Sequence, residues 1–448
     1  MHIDFLINRF KTKPNDIFMI WNDQSYKYSW LVERFQYWQK EFDSMSILPG
    51  MVVGLKGDFS PESTALLLAL IDRSCIIAPF VENMKQDRYE KLKEIAELEY
   101  EIIMTAHSEI SVTKKTDVKA CHDLFLKIVD IKKPGILLFT SGSSGQPKAA
   151  LHDFSKLLKK FEKQGKPFCI LNFLIFDHWG GLNTLLHIIS SLGTVVTLNN
   201  RQPDEVCHAI QNYRVEILPA SPTFLNFLLL SESYKKYDLS SLKFITYGTE
   251  PMSATTLSRL NESFPEVKLQ QTYGLIELGV LRSKSKDSQS LWVKIGGEGY
   301  DTRVSDGLLE IKAESAMLGY LNADSPFTND GWFRTGDAVE VDGDYFRILG
   351  RKSEIINVGG EKVFPQEVEN VIQEAGNVSE VTVRGEKHPF TGQIVCAQVR
   401  LSSPEEAKVA KQRIRRHCLS KLEKFKVPVK ILFTEDGQMN DRMKKKRY

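Results

Sequence analysis

Phe139-Thr140-Ser141-Gly142-Ser143-Ser144-Gly145-Gln146-Pro147-Lys148 (FTSGSSGQPK) is the stretch from which the rest of the chain is best read. It follows Ile136, Leu137 and Leu138, which with Phe139 form a short apolar run of the kind that becomes a buried strand. Thr140, Ser141, Ser143 and Ser144 then supply hydroxyls, Gly142 and Gly145 lack a Cβ, and Lys148 closes the stretch with a cation. Glycine permits φ angles closed to other residues, and free amides and hydroxyls donate to anionic oxygens, so this is the chemistry of a phosphate cradle. The same residues equally fit a solvated Ser/Gly turn. They do not fit the G-x-x-x-x-G-K-[ST] loop, because Pro147 stands where a helix would have to begin and no Ser or Thr follows Lys148.

Outward from the loop, strand-like and helix-like segments alternate. Tyr26 to Asp43 reads as a strand and an amphipathic helix with Ser29 as N-cap. Met51–Lys56 reads as a strand entered from the Pro49-Gly50 turn, and Ser60-Pro61 opens a helix over Glu62–Ile71. Apolar runs recur at Phe168–Leu174, Thr194–Leu198, Ile217–Ala220 and Lys243–Tyr247 between segments of helical period, which predicts an α/β layer, most simply one doubly wound sheet system. After about Gly296 the texture changes to short strands at Arg303–Val304, Leu308–Lys312, Ala338–Val341 and Tyr345–Leu349, the last two joined by Asp342-Gly343-Asp344, a strong hairpin signal. Beyond Gly350-Arg351, helices at Pro365–Ala375 and Pro404–Lys421 and strands at Val378–Arg384 and Ile394–Leu401 suffice for a small α+β domain.

With 448 residues, 42% apolar and 26% charged, the chain is long enough for two to four domains with sizeable cores. Its 59 basic and 57 acidic residues leave a formal charge of +2, which gives no field-scale reason to expect nucleic acid or an anionic membrane as partner. Cysteines at 75, 121, 169, 207, 396 and 418 form no CxxC pair or zinc spacing, so neither a disulfide framework nor a zinc site is expected. The N-terminus lacks the layout of a secretion signal, and the most apolar segment, TALLLALIDRSCIIAPF, is interrupted by Asp72 and Arg73. We therefore expect a cytoplasmic protein without membrane insertion.

Four further clusters bear chemistry. Tyr247-Gly248-Thr249-Glu250-Pro251 ends a strand in a glycine turn where backbone can approach a flat ligand, or is a plain turn. Gln271-Thr272-Tyr273-Gly274-Leu275-Ile276-Glu277 offers an aromatic face and a carboxylate; Mg²⁺ accepts one or two such carboxylates beside water and phosphate oxygens, although an exposed Glu is the commoner fate. Phe333-Arg334-Thr335-Gly336-Asp337 sets a carboxylate after a tight turn, suited to a ribose diol or to capping the turn itself. Gly350-Arg351-Lys352-Ser353 and the glycines at 359 and 360 suit a hinge as well as a rigid linker.

In order and spacing, these clusters together resemble the adenylate-forming superfamily of acyl-CoA synthetases, luciferases and non-ribosomal peptide synthetase adenylation domains. The resemblance runs from the Tyr26 region to the C-terminus. It is supported by Gly307–Lys312 (GLLEIK), Gly319-Tyr320, Asp330–Asp337 (DGWFRTGD) and Gly359–Glu369 (GGEKVFPQEVE). It implies a large N-terminal domain (1–349) of stacked, helix-flanked sheets with a small β-barrel-like subdomain, a hinge (350–353) and a mobile α+β C-terminal domain (354–448).

The function so implied is an acid–thiol ligase. Thr140 to Lys148 would embrace the β- and γ-phosphates of ATP while a carboxylate attacks the α-phosphorus. Gly248 to Pro251, Tyr273 and Gly274 would frame the adenine, Glu277 would bind Mg²⁺, and Asp337 with Arg351 would hold the ribose. The acyl group of the adenylate would pass to CoA or to the phosphopantetheine of an acyl carrier protein. The chain length leads us to expect that a carrier is not fused and would arrive in trans. The C-terminal domain would turn about Ser353 and deliver a lysine.

Here the family's terminal G-K-x-x-R pattern is imperfect. Lys444 with Arg447 preserves both cations, with Met443 in place of Gly, whereas Arg442 with Lys445 is the other alignment. We take Lys444, because a flexible ammonium reaches both carboxylate and phosphate oxygens. Ile276 departs from the usual Thr, a hydroxyl donor worth about 1 kcal/mol. The acid is expected to lie against Phe173–Leu182 (FLIFDHWGGL), with Asp177, His178, Trp179 and Tyr247 as lining candidates; ordinary core packing is the rival role for His178 and Trp179. Asp177 admits an amino-acid substrate as an alternative. The alternative function is an amino-acid or aryl-acid adenylating enzyme that passes the acyl group to a non-CoA acceptor, and the alternative of another class is a non-catalytic adenylate-binding protein.

Overall fold

A computed structural model describes residues 2–105, 110–140 and 146–435, with the backbone alone at 111–113. Ser141, Gly142, Ser143, Ser144 and Gly145 of the loop, and Lys444 with its alternative Arg442, lie outside the described residues.

The helix Pro61–Asp72 shows how the layers arise. Ser60 caps it, its hydroxyl accepting from the Ser63 amide at 3.1 Å while the Ser63 hydroxyl accepts from the Ser60 amide at 2.9 Å. Every residue from Pro61 to Ile71 is buried. A helix with no polar face must be covered all round. The helix Tyr28–Ser44 packs on it, with Arg34 and Trp38 donating to Glu62 and Gln39 to the Ala69 carbonyl, and one continuous core takes in Leu66, Leu67 and Leu185 with Val53, Ile77 and Ile136 of one sheet and Met19, Ile170 and Val195 of the other.

The first sheet has seven strands in the order Lys268–Gln271, Phe244–Tyr247, Ile217–Ala220, Cys169–Leu171, Thr194–Val196, Ile17–Trp21 and Gln24–Lys27, parallel except for the last pair. The second, also seven-stranded, runs Gly319–Tyr320, Lys148–Asp153, Gly135–Thr140, Ile76–Val81, Val52–Gly57, Tyr100–Met104 and Ile110–Lys115, with a parallel centre and antiparallel ends. Two sheets thus replace the single system expected, because apolar period locates a strand without naming its neighbours. The first long helix is Tyr28–Ser44 with Lys27 at its N-cap, so Ser29 lies inside the first turn.

A six-stranded antiparallel sheet follows, built from Ser283–Ser285, Val293–Ile295, Tyr345–Arg351, Phe333–Asp342, Leu308–Ala313 and Tyr300–Ser305. The expected hairpin is there, Asp342 facing Tyr345 across Gly343 at φ +58°. Its last strand ends at Arg351, and the exposed Ser353 sits in the short 3-10 turn Lys352–Glu354. A five-stranded sheet comes next, with the helices Pro365–Glu374 and Ala407–Lys421 and its own apolar core. It touches the preceding layers where the Asn226 side-chain amide donates to the Ser379 carbonyl at 3.1 Å.

Candidate active site

The loop that opened the sequence reading is a hairpin connection. Thr140 faces Lys148 at the ends of two antiparallel strands. Asn322 fixes the outgoing limb: its side chain accepts from the Ala149 amide at 2.9 Å and donates to the Pro147 carbonyl at 2.9 Å.

Beside Lys148 stands Tyr320. Its ring centroid is 5.3 Å from the Lys148 ammonium, and its hydroxyl donates to Glu277 Oε1 at 2.5 Å. The segment bearing Glu277 is tied down on both sides: its own carbonyl accepts from the Met317 amide at 2.8 Å, and His152 Nε2 lies 2.7 Å from the Ile276 carbonyl. His152 is buried, with Nδ1 3.3 Å from the Ser315 carbonyl. Burial pushes the imidazole down to about 4, so it is neutral and carries one N–H, which the shorter contact assigns to Ile276. The Ile276 side chain packs against the apolar core, where a hydroxyl would be poorly served.

Asp337 and Arg351 face each other across adjacent strands, with Arg351 Nε 3.4 Å from Asp337 Oδ1. The Tyr273 hydroxyl donates to the other carboxylate oxygen at 2.5 Å. Gly336, at φ +74°, makes the turn that lets the Asp337 amide reach Thr335 Oγ1 at 3.0 Å. Burial raises the Asp337 carboxyl, opposed by the Arg351 charge and the Tyr273 hydrogen bond. Burial also works against the Arg351 charge, yet Asp337, Glu277 and Tyr273 together raise its pKa, so the four form one electrostatic unit.

Gly248 is required by contact: a Cβ there would lie 2.5 Å from Thr272 Oγ1 and 2.7 Å from the Thr272 carbonyl. Thr249 adopts φ +73°, a strained conformation for a β-branched residue, and such strain concentrates at ligand sites. Glu250 turns one oxygen to the start of the helix Pro222–Ser231, accepting from the Thr223 amide at 2.9 Å. Pro251 follows it along the wall of a cleft shared with Gln366 and Glu380 of the C-terminal sheet-and-helix unit. Gly274 leaves no room for a Cβ, which would sit 2.9 Å from the Gly279 carbonyl.

Around Phe173–Leu182, His178 caps the helix Trp179–Ser190, its Nδ1 accepting from the Gly180 amide at 3.0 Å. Asp177 is buried just before it. Trp179 is buried with Phe154 against its ring, and Tyr247 is buried in the core behind the first sheet. The Lys160 ammonium lies 6.0 Å from the centroid of the Trp179 ring and donates to the Val280 carbonyl at 3.0 Å and to Asn183 Oδ1. Burial, aided by Arg282, pulls this lysine down to about 7.

Lys148, Glu277, Tyr273, Asp337 and Arg351 are thus brought to one rim by the contacts of Tyr320 and Asp337. Tyr320 and Asn322 share that rim and His152 is buried behind the Glu277 segment, although Tyr320 enters the sequence reading only as half of a Gly-Tyr pair and the other two not at all. Their partners are backbone groups or residues far along the chain, which local pattern does not reveal.

Stacked, helix-flanked sheets followed by a smaller sheet-and-helix unit define a layered α/β protein. The chain belongs to the AMP-binding enzyme family, whose profile matches residues 7–297, with that of the AMP-binding enzyme C-terminal domain matching 367–444. Among characterised relatives it is 29% identical to indoleacetate–CoA ligase of Aromatoleum aromaticum over 68% of this chain and 64% of that one. It is also 29% identical to 2-succinylbenzoate–CoA ligase of Enterococcus faecalis, over 70% of this chain and 68% of that one. The match thus spans only about two thirds of these relatives' length. In fold it is similar to the anthranilate–CoA ligase AuaEII crystallised with anthranoyl-AMP, with a TM-score of 0.85 at 18% identity over 99% of this chain and 95% of that one. The expected superfamily and the layered α/β architecture are borne out. Among the described residues no helix is long and apolar enough to cross a membrane.

Proposed function

We propose that this chain activates a carboxylic acid with ATP and transfers the acyl group to a thiol. The observation that carries the reading is the convergence of Lys148, Glu277, Asp337, Arg351 and Tyr273 on one rim, around a hairpin whose composition suits phosphate. Relatives that are CoA ligases support it.

In the first half-reaction a carboxylate oxygen of the acid attacks the α-phosphorus of ATP, the bond to the β-phosphate oxygen breaks, and acyl-AMP and pyrophosphate result. The protein's part is positioning and neutralisation of spreading charge. Lys148 and the loop hold the departing phosphates. Asp337 accepts from the ribose hydroxyls, with Arg351 keeping it ionised and Tyr273 holding its second oxygen. Gly248 to Pro251 give the adenine a flat backbone wall. Glu277 offers the single carboxylate that Mg²⁺ needs when phosphate and water complete its shell, and the residues therefore fit the ion. Bound there, Mg²⁺ would neutralise phosphate charge. In the second half-reaction the sulfur of CoA, or of a carrier protein's pantetheine, attacks the acyl carbon. The thiol proton is lost and AMP leaves.

We place the two half-reactions on one division of the chain, with residues 1–349 holding the substrates and 354–448 turning about Ser353 to bring Lys444 to the α-phosphate. The acid would lie near Asp177, His178 and Trp179. The test is pyrophosphate release over a panel of aryl, alkyl and amino acids, with and without CoA. Release with one acid, followed by CoA-dependent AMP formation, is expected. Release that CoA leaves unchanged would move the acceptor to an amine, hydroxyl or carrier protein, and no release with any acid would favour a non-catalytic adenylate-binding protein.

A further inference from the structure

Lys148 and Glu277 carry opposite charges on the same rim, yet it is Tyr320 that touches both. The phenol donates to Glu277 Oε1 at 2.5 Å, and the ring lies under the Lys148 ammonium, 5.3 Å from centroid to nitrogen. A direct ion pair would consume both charges; an interposed tyrosine holds each by an interaction that a phosphate or a cation can replace. Tyr320 cannot drift from Lys148, because its strand pairs with the one Lys148 begins: Tyr320 faces Ala150, Gly319 faces Leu151, and the Leu321 amide donates to the Ala149 carbonyl at 2.9 Å. Asn322 adds its two bonds to the Pro147 carbonyl and the Ala149 amide.

We infer that Tyr320 is a positioning residue for the adenylation step, a spacer that sets the separation of Glu277 and Lys148 so that both close on one triphosphate. The inference rests on the ligase reading above. It predicts two separable contributions. The hydroxyl orients Glu277 and so governs metal affinity, whereas the ring orients Lys148 and so governs affinity for the phosphates themselves.

Tyr320→Phe removes only the hydroxyl and Tyr320→Leu removes hydroxyl and ring. The measurements are binding of Mn²⁺, as a paramagnetic stand-in for Mg²⁺, to the full chain saturated with a non-hydrolysable ATP analogue, and binding of metal-free ATP by equilibrium dialysis. A charge-assisted hydrogen bond is worth about tenfold in affinity, so Tyr320→Phe should weaken Mn²⁺ binding by about tenfold and leave metal-free ATP within about twofold of the unsubstituted chain. Tyr320→Leu should weaken both. Unchanged Mn²⁺ affinity in Tyr320→Phe overturns the proposal, as does a parallel loss of both affinities in that variant, which would mark a merely structural tyrosine. An unsubstituted chain that binds no ATP refutes the ligase reading instead, so the two failures are distinguishable.

Discussion

Acid should loosen the Glu277 segment through His152. This imidazole is buried between the Ile276 and Ser315 carbonyls, and its pKa near 4 compares with about 6.5 when the chain is unfolded. The folded state therefore binds fewer protons than the unfolded state in the window between these values, and stability falls as pH falls through it. From the two pKa values the loss is about 2 kcal/mol on going from roughly pH 7.5 to roughly pH 5, and about 3 kcal/mol by roughly pH 4. The perturbation that isolates it is His152→Gln, which keeps a donor for the Ile276 carbonyl but cannot be charged. Guanidinium unfolding followed by tryptophan fluorescence, run for both proteins across this pH range, gives two stability curves. Their difference removes the contribution of every other titrating group. The unsubstituted chain should be the more stable near neutrality, and its advantage should shrink by about 2 kcal/mol by roughly pH 5. Parallel curves, separated by the same gap throughout, would refute the assignment of a neutral, buried His152.

Three further outcomes are expected. Lys160→Met should raise the melting temperature, and more so near pH 6 than near pH 9.5: the lysine titrates at about 7 when folded and near 10.4 when unfolded, so its burial cost is full below the folded value and fades as pH rises. Equal gains at both pH values would mean that the ammonium is well solvated. Thr249→Gly should relieve the φ +73° backbone and, after the entropy cost of glycine, leave the fold about 0.5–1 kcal/mol more stable by thermal unfolding; a loss would show that the threonine side chain holds the turn. Gly248→Ala should destabilise by about 1–3 kcal/mol, because its Cβ meets Thr272 Oγ1 at 2.5 Å, and should weaken ATP binding measured by dialysis. Unchanged ATP affinity would remove this turn from the adenine site.

Much of the fold was legible because local pattern and burial agreed. Ile217–Ala220 is a strand over the residues read, and the helix after Ser60-Pro61 carries both a capping box and an apolar surface on all sides. A helix without a polar face is one covered on all sides by other elements. What local pattern could not supply was pairing. Asp337 and Arg351 are individually visible, but that they stand opposite each other follows from the register of a hairpin with a bulge after Ala338. Glu250 was legible as part of a ligand turn, while its bond to the Thr223 amide depends on a helix start brought close by the sheet. His152 carries no signal in the sequence, and only the fold encloses it between two carbonyls.

The edge strand Gly319–Tyr320 has a consequence for synthesis. A ribosome releases the strand Lys148–Asp153 long before residue 320 exists, so for more than a third of translation that strand lacks its outer neighbour. Glu277 emerges into the same unfinished rim. The contact that joins Lys148 to Glu277 therefore forms late, when Gly319-Tyr320 docks. A nascent or truncated chain ending before it would expose a pairing-competent edge to other chains.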